Sequence, residues 1–263
     1  MNLIGLIDMT NSVDFYGPEL KVERAEYHIN ELERIFRTFV RSNNDALIAK
    51  ATKHKWRDRD ITIGGEFPRH TPTVIGDGIH NLRAALDHAY CLLVEANGHT
   101  INRSTSFPFF SDKDSVEEAI NGQINKGHGP SDRVRDAILK SIEPFPEGKG
   151  EPLYFLHKLD ITDKHKVLIP TATKFTLHGF KLLLPNGNFV QLDDFGLTSQ
   201  GPEVQKQGLM KLSGVRIEAE KNARATFVIG FQEGQPFEGE NIVQTLRELL
   251  VHVRGTLEVL AQA

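Results

Sequence analysis

Residues 73–98 read T-V-I-G-D-G-I-H-N-L-R-A-A-L-D-H-A-Y-C-L-L-V-E-A-N-G, and this stretch decides the fold. At about 100° per residue, Ile75, Ile79, Leu82, Leu86 and Leu93 fall within one narrow arc, the apolar stripe of a helix that must bury one side. Asn97-Gly98 supplies the helix stop. The opposite face gathers Asp77, His80, Arg83, Asp87 and His88 around the small residues Ala84 and Cys91. Small residues ringed by titratable ones imply that another helix or a second subunit comes close.

Outward from that helix the pattern is mixed. Val22, Ala25, Ile29, Leu32, Phe36 and Phe39 recur at steps of three and four between Pro18 and Ser42, an amphipathic helix that Asn43-Asn44-Asp45 is expected to end. A β-hairpin is expected at about 46–67, turning at Arg57-Asp58-Arg59-Asp60. Its basic residues, Lys53, Lys55, Arg57 and Arg59 among them, make the most cationic run of the chain. The F-P-F-F of residues 107–110 belongs to a loop that tucks aromatic rings under the helices, and short helices follow near 115–121 and 131–142. P-L-Y-F-L-H-K-L-D-I-T-D-K-H-K, residues 152–166, places Asp160 and Asp163 on the side of Leu153, Leu156 and Leu159. Carboxylates there need partners, for which Arg83, His80 and Lys164 are the candidates, unless the helix stops near Leu159 and the aspartates cap the next element.

Beyond Val167 the period changes to two, which predicts about four antiparallel strands with turns at Asn186-Gly187 and Lys221-Asn222. Val243, Leu246, Leu250, Val253, Leu257 and Leu260 then return to helical spacing. The expected class is α+β. A helical core spans residues 1–166 with the hairpin inserted, an antiparallel β insertion comes next over 167–235, and residues 236–263 form a last helix that completes the bundle.

Composition narrows the function. A net charge of −4 over 263 residues excludes a globally basic nucleic-acid coat, so any polyanion site must be local. One cysteine excludes an internal disulfide and a cysteine-rich zinc site. The opening M-N-L-I-G-L-I-D-M has no basic region and its apolar run is broken by Asp8; with no stretch of membrane-spanning length, a cytoplasmic protein without a membrane partner is expected.

Arg83 and His88 are separated by four residues, and this Arg-x4-His spacing resembles the motif of the HEPN superfamily. I-G-D-G-I-H-N-L-R-A-A-L-D-H and L-H-K-L-D-I-T-D-K-H-K are also similar to segments of uncharacterised bacterial proteins. The HEPN resemblance implies a helical bundle, a homodimer, and metal-independent cleavage of RNA with no cofactor, in a toxin or phage-defence setting. His88 would be the general base or acid and Arg83 would hold the phosphate. Asp77, His80, Asn81, Asp87, His157, Asp160, Asp163 and His165 would support them, and Lys53, Lys55, Arg57, Arg59, Lys164 and Lys166 would contact nucleic acid. The chain departs from the pattern at Ala84, where HEPN ribonucleases commonly carry Asn, Asp or His. Arg247 and His252 repeat the spacing among Leu249, Leu250 and Val251, a setting that reads as core filling.

Two other functions fit the residues. Asp77, His80, His157, Asp160, Asp163 and His165 are metal-ligand types one turn apart on two helices, as a metal hydrolase would need, though without a Glu-x-x-His or His-x3-His signature. A HEPN-like module that binds a nucleotide, nucleic acid or protein without cleaving anything is the third.

Overall fold

The computed structural model describes residues 13–53, 67–166, 168, 170–192, 195–198 and 216–263. Among them are six α-helices: α1 (Tyr16–Lys53), α2 (Thr71–Ala96), α3 (Lys113–Asn125), α4 (Asp132–Ala137), α5 (Glu151–His165) and α6 (Ile242–Ala261). Strands β1 (Pro170–Leu183), β2 (Phe189–Leu192), β3 (Phe195–Thr198) and β4 (Arg216–Phe231) lie between α5 and α6. The class is α+β with one small antiparallel sheet. Among the described residues no helix is long and apolar enough to cross a membrane. The chain divides into two compact units. One holds the described chain up to Ala25 with His80–His157 and Leu249–Ala263; the other holds Glu26–Ile79 and Lys158–Glu248.

In the first unit the second half of α2 buries Leu82, Ala85, Leu86, Ala89, Tyr90, Leu93 and Val94. Each large aliphatic side chain so buried stabilises the fold by about 1.5–3 kcal/mol. The helix stops where Asn97-Gly98 requires. Gly98 takes φ 76°, its N–H reaches Glu95 O at 2.9 Å and that of His99 reaches Val94 O at 3.2 Å. Those two bonds are the Schellman pair, and only a residue without a Cβ adopts that backbone cheaply. Phe107 and Phe109 are buried while Phe110 is exposed, so two of the three aromatics of F-P-F-F tuck in. Asp112 caps α3 through the N–H of Ser115 and Ser131 caps α4 through that of Val134. A π-helical turn, Ile138–Ile142, closes α4 and ends at Glu143 in the left-handed region.

In the second unit Ile29, Leu32, Phe36 and Phe39 of α1 are buried, and Phe39 stacks on Phe67 with centroids 4.1 Å apart. The glycines of α2 set close approaches. His28 Cβ lies 3.7 Å from where a Cβ of Gly78 would stand, and a Cβ on Gly76 would overlap the Asp163 carboxylate of α5. Arg247 of α6 pairs with Glu33 at 2.5 Å and donates to Asn30 at 3.0 Å.

Two expectations for residues 43–67 need correction. Asn43-Asn44-Asp45 does not end the first helix, which continues to Lys53; Asn43 is buried and its amide donates to Phe39 O at 2.8 Å, turning a residue type that often stops helices into part of one. The first limb of the expected hairpin, residues 46–53, is therefore helical, and the rest of it lies outside the described residues.

β1 is the central strand. It pairs with β4 on one side and with β3 and then β2 on the other, all antiparallel. The Asn186-Gly187 turn is present: Leu184 N–H bonds Asn188 O at 2.8 Å and Gly187 has φ 84°. The Lys221-Asn222 turn is not. β4 runs through it, and the register jumps from His178↔Arg224 to Phe180↔Ala219, leaving residues 220–223 of β4 opposite Gly179 alone. The turn-like residues mark a bulge, which Gly179 accommodates at φ 73° with Ala223 Cα 3.3 Å from its Cβ position.

Candidate functional site

Five residues apart on a helix means about 140° of rotation and about 7.5 Å of rise. Arg83 and His88 therefore leave α2 in different directions, and the structure separates their environments accordingly: Arg83 is buried, His88 exposed. His88 Nδ1 lies 3.9 Å from the Cβ position of Gly17 at the start of α1.

Arg83 is held by three neighbours. Its Nη1 forms an ion pair with Asp87 Oδ2, one turn along. Nε donates to His157 Nδ1 of α5 at 3.2 Å. The guanidinium carbon stands 4.2 Å from the centroid of the Phe109 ring, and the His157 ring stacks on the same phenyl at 4.9 Å and 6°. These contacts offset part of the cost of burying a cation, through opposite charge, a hydrogen bond and the ring quadrupole. The side chain is 9% exposed. Nη1 is buried and makes no aligned hydrogen bond beside its ion pair with Asp87.

Asp87 also fastens the loop that carries Phe109. Its Oδ1 accepts the Phe107 N–H at 2.8 Å. Nearby, Cys91 Sγ donates to Thr105 O at 3.7 Å. Burial pushes the Cys91 thiol up, and the negative charges of Asp87 and Glu95 push it further. Below, Tyr90 donates to Gln123 Oε1 at 2.5 Å, and its burial raises the phenol far above its usual range.

The other candidates scatter. His80 is exposed and Asn81 half-buried, both in the first unit with Arg83, Asp87, His88 and His157; Asp77, Asp160, Asp163 and His165 belong to the second. α5 runs unbroken to His165, so Asp160 and Asp163 are helical rather than capping. Asp160 is buried and paired with Lys164 at 2.5 Å, the partner its burial demanded. Asp163 is half-buried against Gly76, while Lys164, His165 and Lys166 are exposed. Lys53 closes α1; Lys55, Arg57 and Arg59 lie outside the described residues. Among the described residues no three His, Cys, Asp or Glu side chains are grouped as metal ligands would be.

Sequence reading missed Phe109 as a site residue and Phe107 as the amide that Asp87 binds. The F-P-F-F run was the available signal, since aromatic rings attract a guanidinium that comes within about 6 Å of them. No protein-family model, curated protein or solved structure matches this chain.

Proposed function

We propose that the chain is a HEPN-like, metal-independent endoribonuclease that acts as a homodimer in the cytoplasm, in a toxin or phage-defence role. The observation that carries the reading is the fixed guanidinium of Arg83: Nε and Nη1 are engaged by protein and Phe109 lies against its plane. A cation held this way needs no reorganisation when a phosphorane forms. His88, exposed on the next turn, is the imidazole that would move the proton of a 2′-hydroxyl when a phosphate comes within reach. Attack of that oxygen on the adjacent phosphorus releases a 5′-hydroxyl and leaves a 2′,3′-cyclic phosphate, with no metal in the scheme.

A second reading is a HEPN-like module that binds a nucleotide, nucleic acid or protein without cleaving it. The burial of Arg83 and its pairing with Asp87 favour it, because a carboxylate already occupies one edge that a phosphate would take.

Incubation of the protein with single-stranded RNA in excess chelator separates the two. The ribonuclease reading expects cleavage that persists in chelator and falls at least about 100-fold in His88→Ala. Binding without cleavage supports the second reading, and cleavage lost to chelator overturns both.

A further inference from the structure

We infer that His157 is the positioning residue for Arg83: as a neutral imidazole it takes the guanidinium Nε–H and thereby decides how the guanidinium is turned against Asp87. The inference rests on the ribonuclease reading for its consequence, but its geometry stands alone. Phe109 fixes the plane of the guanidinium from 4.2 Å, and Asp87 and His157 fix the rotation within that plane. A carboxylate prefers the two-pronged edge of a guanidinium. With Asp87 as the only acceptor, Arg83 would turn its Nε–Nη2 edge onto both carboxylate oxygens and break the Asp87 bond to the Phe107 N–H. His157 occupies Nε and closes that alternative. The role requires a lone pair on Nδ1, so the ring proton sits on Nε2; an imidazolium would offer no acceptor and would place a second cation 3.2 Å from the first. Stacking of His157 on Phe109 at 6° keeps the ring in the orientation that aims Nδ1 at Nε.

Long-range proton–nitrogen NMR of the full chain near pH 7.5, with the His157 signals assigned by their loss in His157→Asn, reads the tautomer directly. A protonated Nε2 with a bare Nδ1 is expected; a proton on Nδ1 overturns the inference. RNA cleavage tests the consequence. His157→Asn sets an amide oxygen near the place of Nδ1 and is expected to keep kcat/KM within about threefold. His157→Leu keeps the bulk and removes the acceptor, and is expected to lower kcat/KM at least tenfold while the far-ultraviolet circular dichroism is unchanged. Equal activity of the Leu variant and wild type overturns the positioning role. Where His157→Leu does not fold, a loss in His157→Asn as large as that in His88→Ala does the same. If the wild type cleaves no RNA, the proposed function falls, and the tautomer alone decides whether His157 holds Arg83.

Discussion

Asp87 Oδ1 accepts the backbone N–H of Phe107 at 2.8 Å, so one carboxylate on α2 ties down the loop whose Phe109 covers Arg83. Its other oxygen balances the Arg83 charge. Asp87→Asn preserves an acceptor for Phe107 but leaves a buried guanidinium without its anion. We expect a loss of about 1–3 kcal/mol of stability, read from the denaturant midpoint. An unchanged midpoint would mean that His157 and Phe109 alone suffice to hold the cation.

Cys91 reports on the same corner. Its thiol is raised first by burial and then by the Asp87 and Glu95 charges, so at pH 8 less of it is thiolate than in a free cysteine. Alkylation by iodoacetamide should therefore be slower than that of a model thiol, and faster in Asp87→Asn than in wild type. Alkylation of native protein at the model rate contradicts that burial.

The helical glycines divide by what surrounds them. Nothing lies within 4 Å of a Cβ on Gly122 in α3 or Gly255 in α6, whereas one on Gly76 meets the Asp163 carboxylate. Gly122→Ala and Gly255→Ala should each stabilise by about 0.4–1 kcal/mol through the unfolded chain. Gly76→Ala should destabilise by about 1–3 kcal/mol. Calorimetric melting of the three variants checks the ordering.

Acid should weaken the tie between α1 and α6. A hydrogen bond from Arg247 is the main cause that holds the Glu33 carboxyl below its usual 4.5, with burial opposing. Because the folded value is the lower one, the contribution is complete above about pH 4.5 and fades as pH falls through that depressed value. The pair is exposed, so Glu33→Gln should cost only about 0.2–1 kcal/mol at pH 7. The gap between the two proteins' midpoints should close as pH falls below that depressed value. A gap that persists there would place the loss elsewhere than in the charge.

What was legible in the sequence was periodic or local. The arc of Ile75, Ile79, Leu82, Leu86 and Leu93 is buried as its spacing requires, and Gly98 stops α2 because one backbone angle is enough to do so. The misreadings at Asn43 and at Lys221-Asn222 share a cause: residues that favour turns were absorbed, one by a hydrogen bond inside its own helix, the other by a bulge against Gly179 in a distant strand. Arg83 was legible as a motif residue but not as a buried one. Its helical period puts it beside Asp87, whereas the groups that enclose it, Phe109 and His157, come from 26 and 74 positions away, where no spacing rule reaches.

The most direct measurement is single-turnover cleavage of a labelled RNA by wild type and His88→Ala in chelator, with the end groups of the products identified. The account predicts 2′,3′-cyclic phosphate ends from the wild type and a rate at least about 100-fold lower from His88→Ala, whose fold an exposed residue leaves intact. Equal rates in the two proteins, or no cleavage by either, would contradict it.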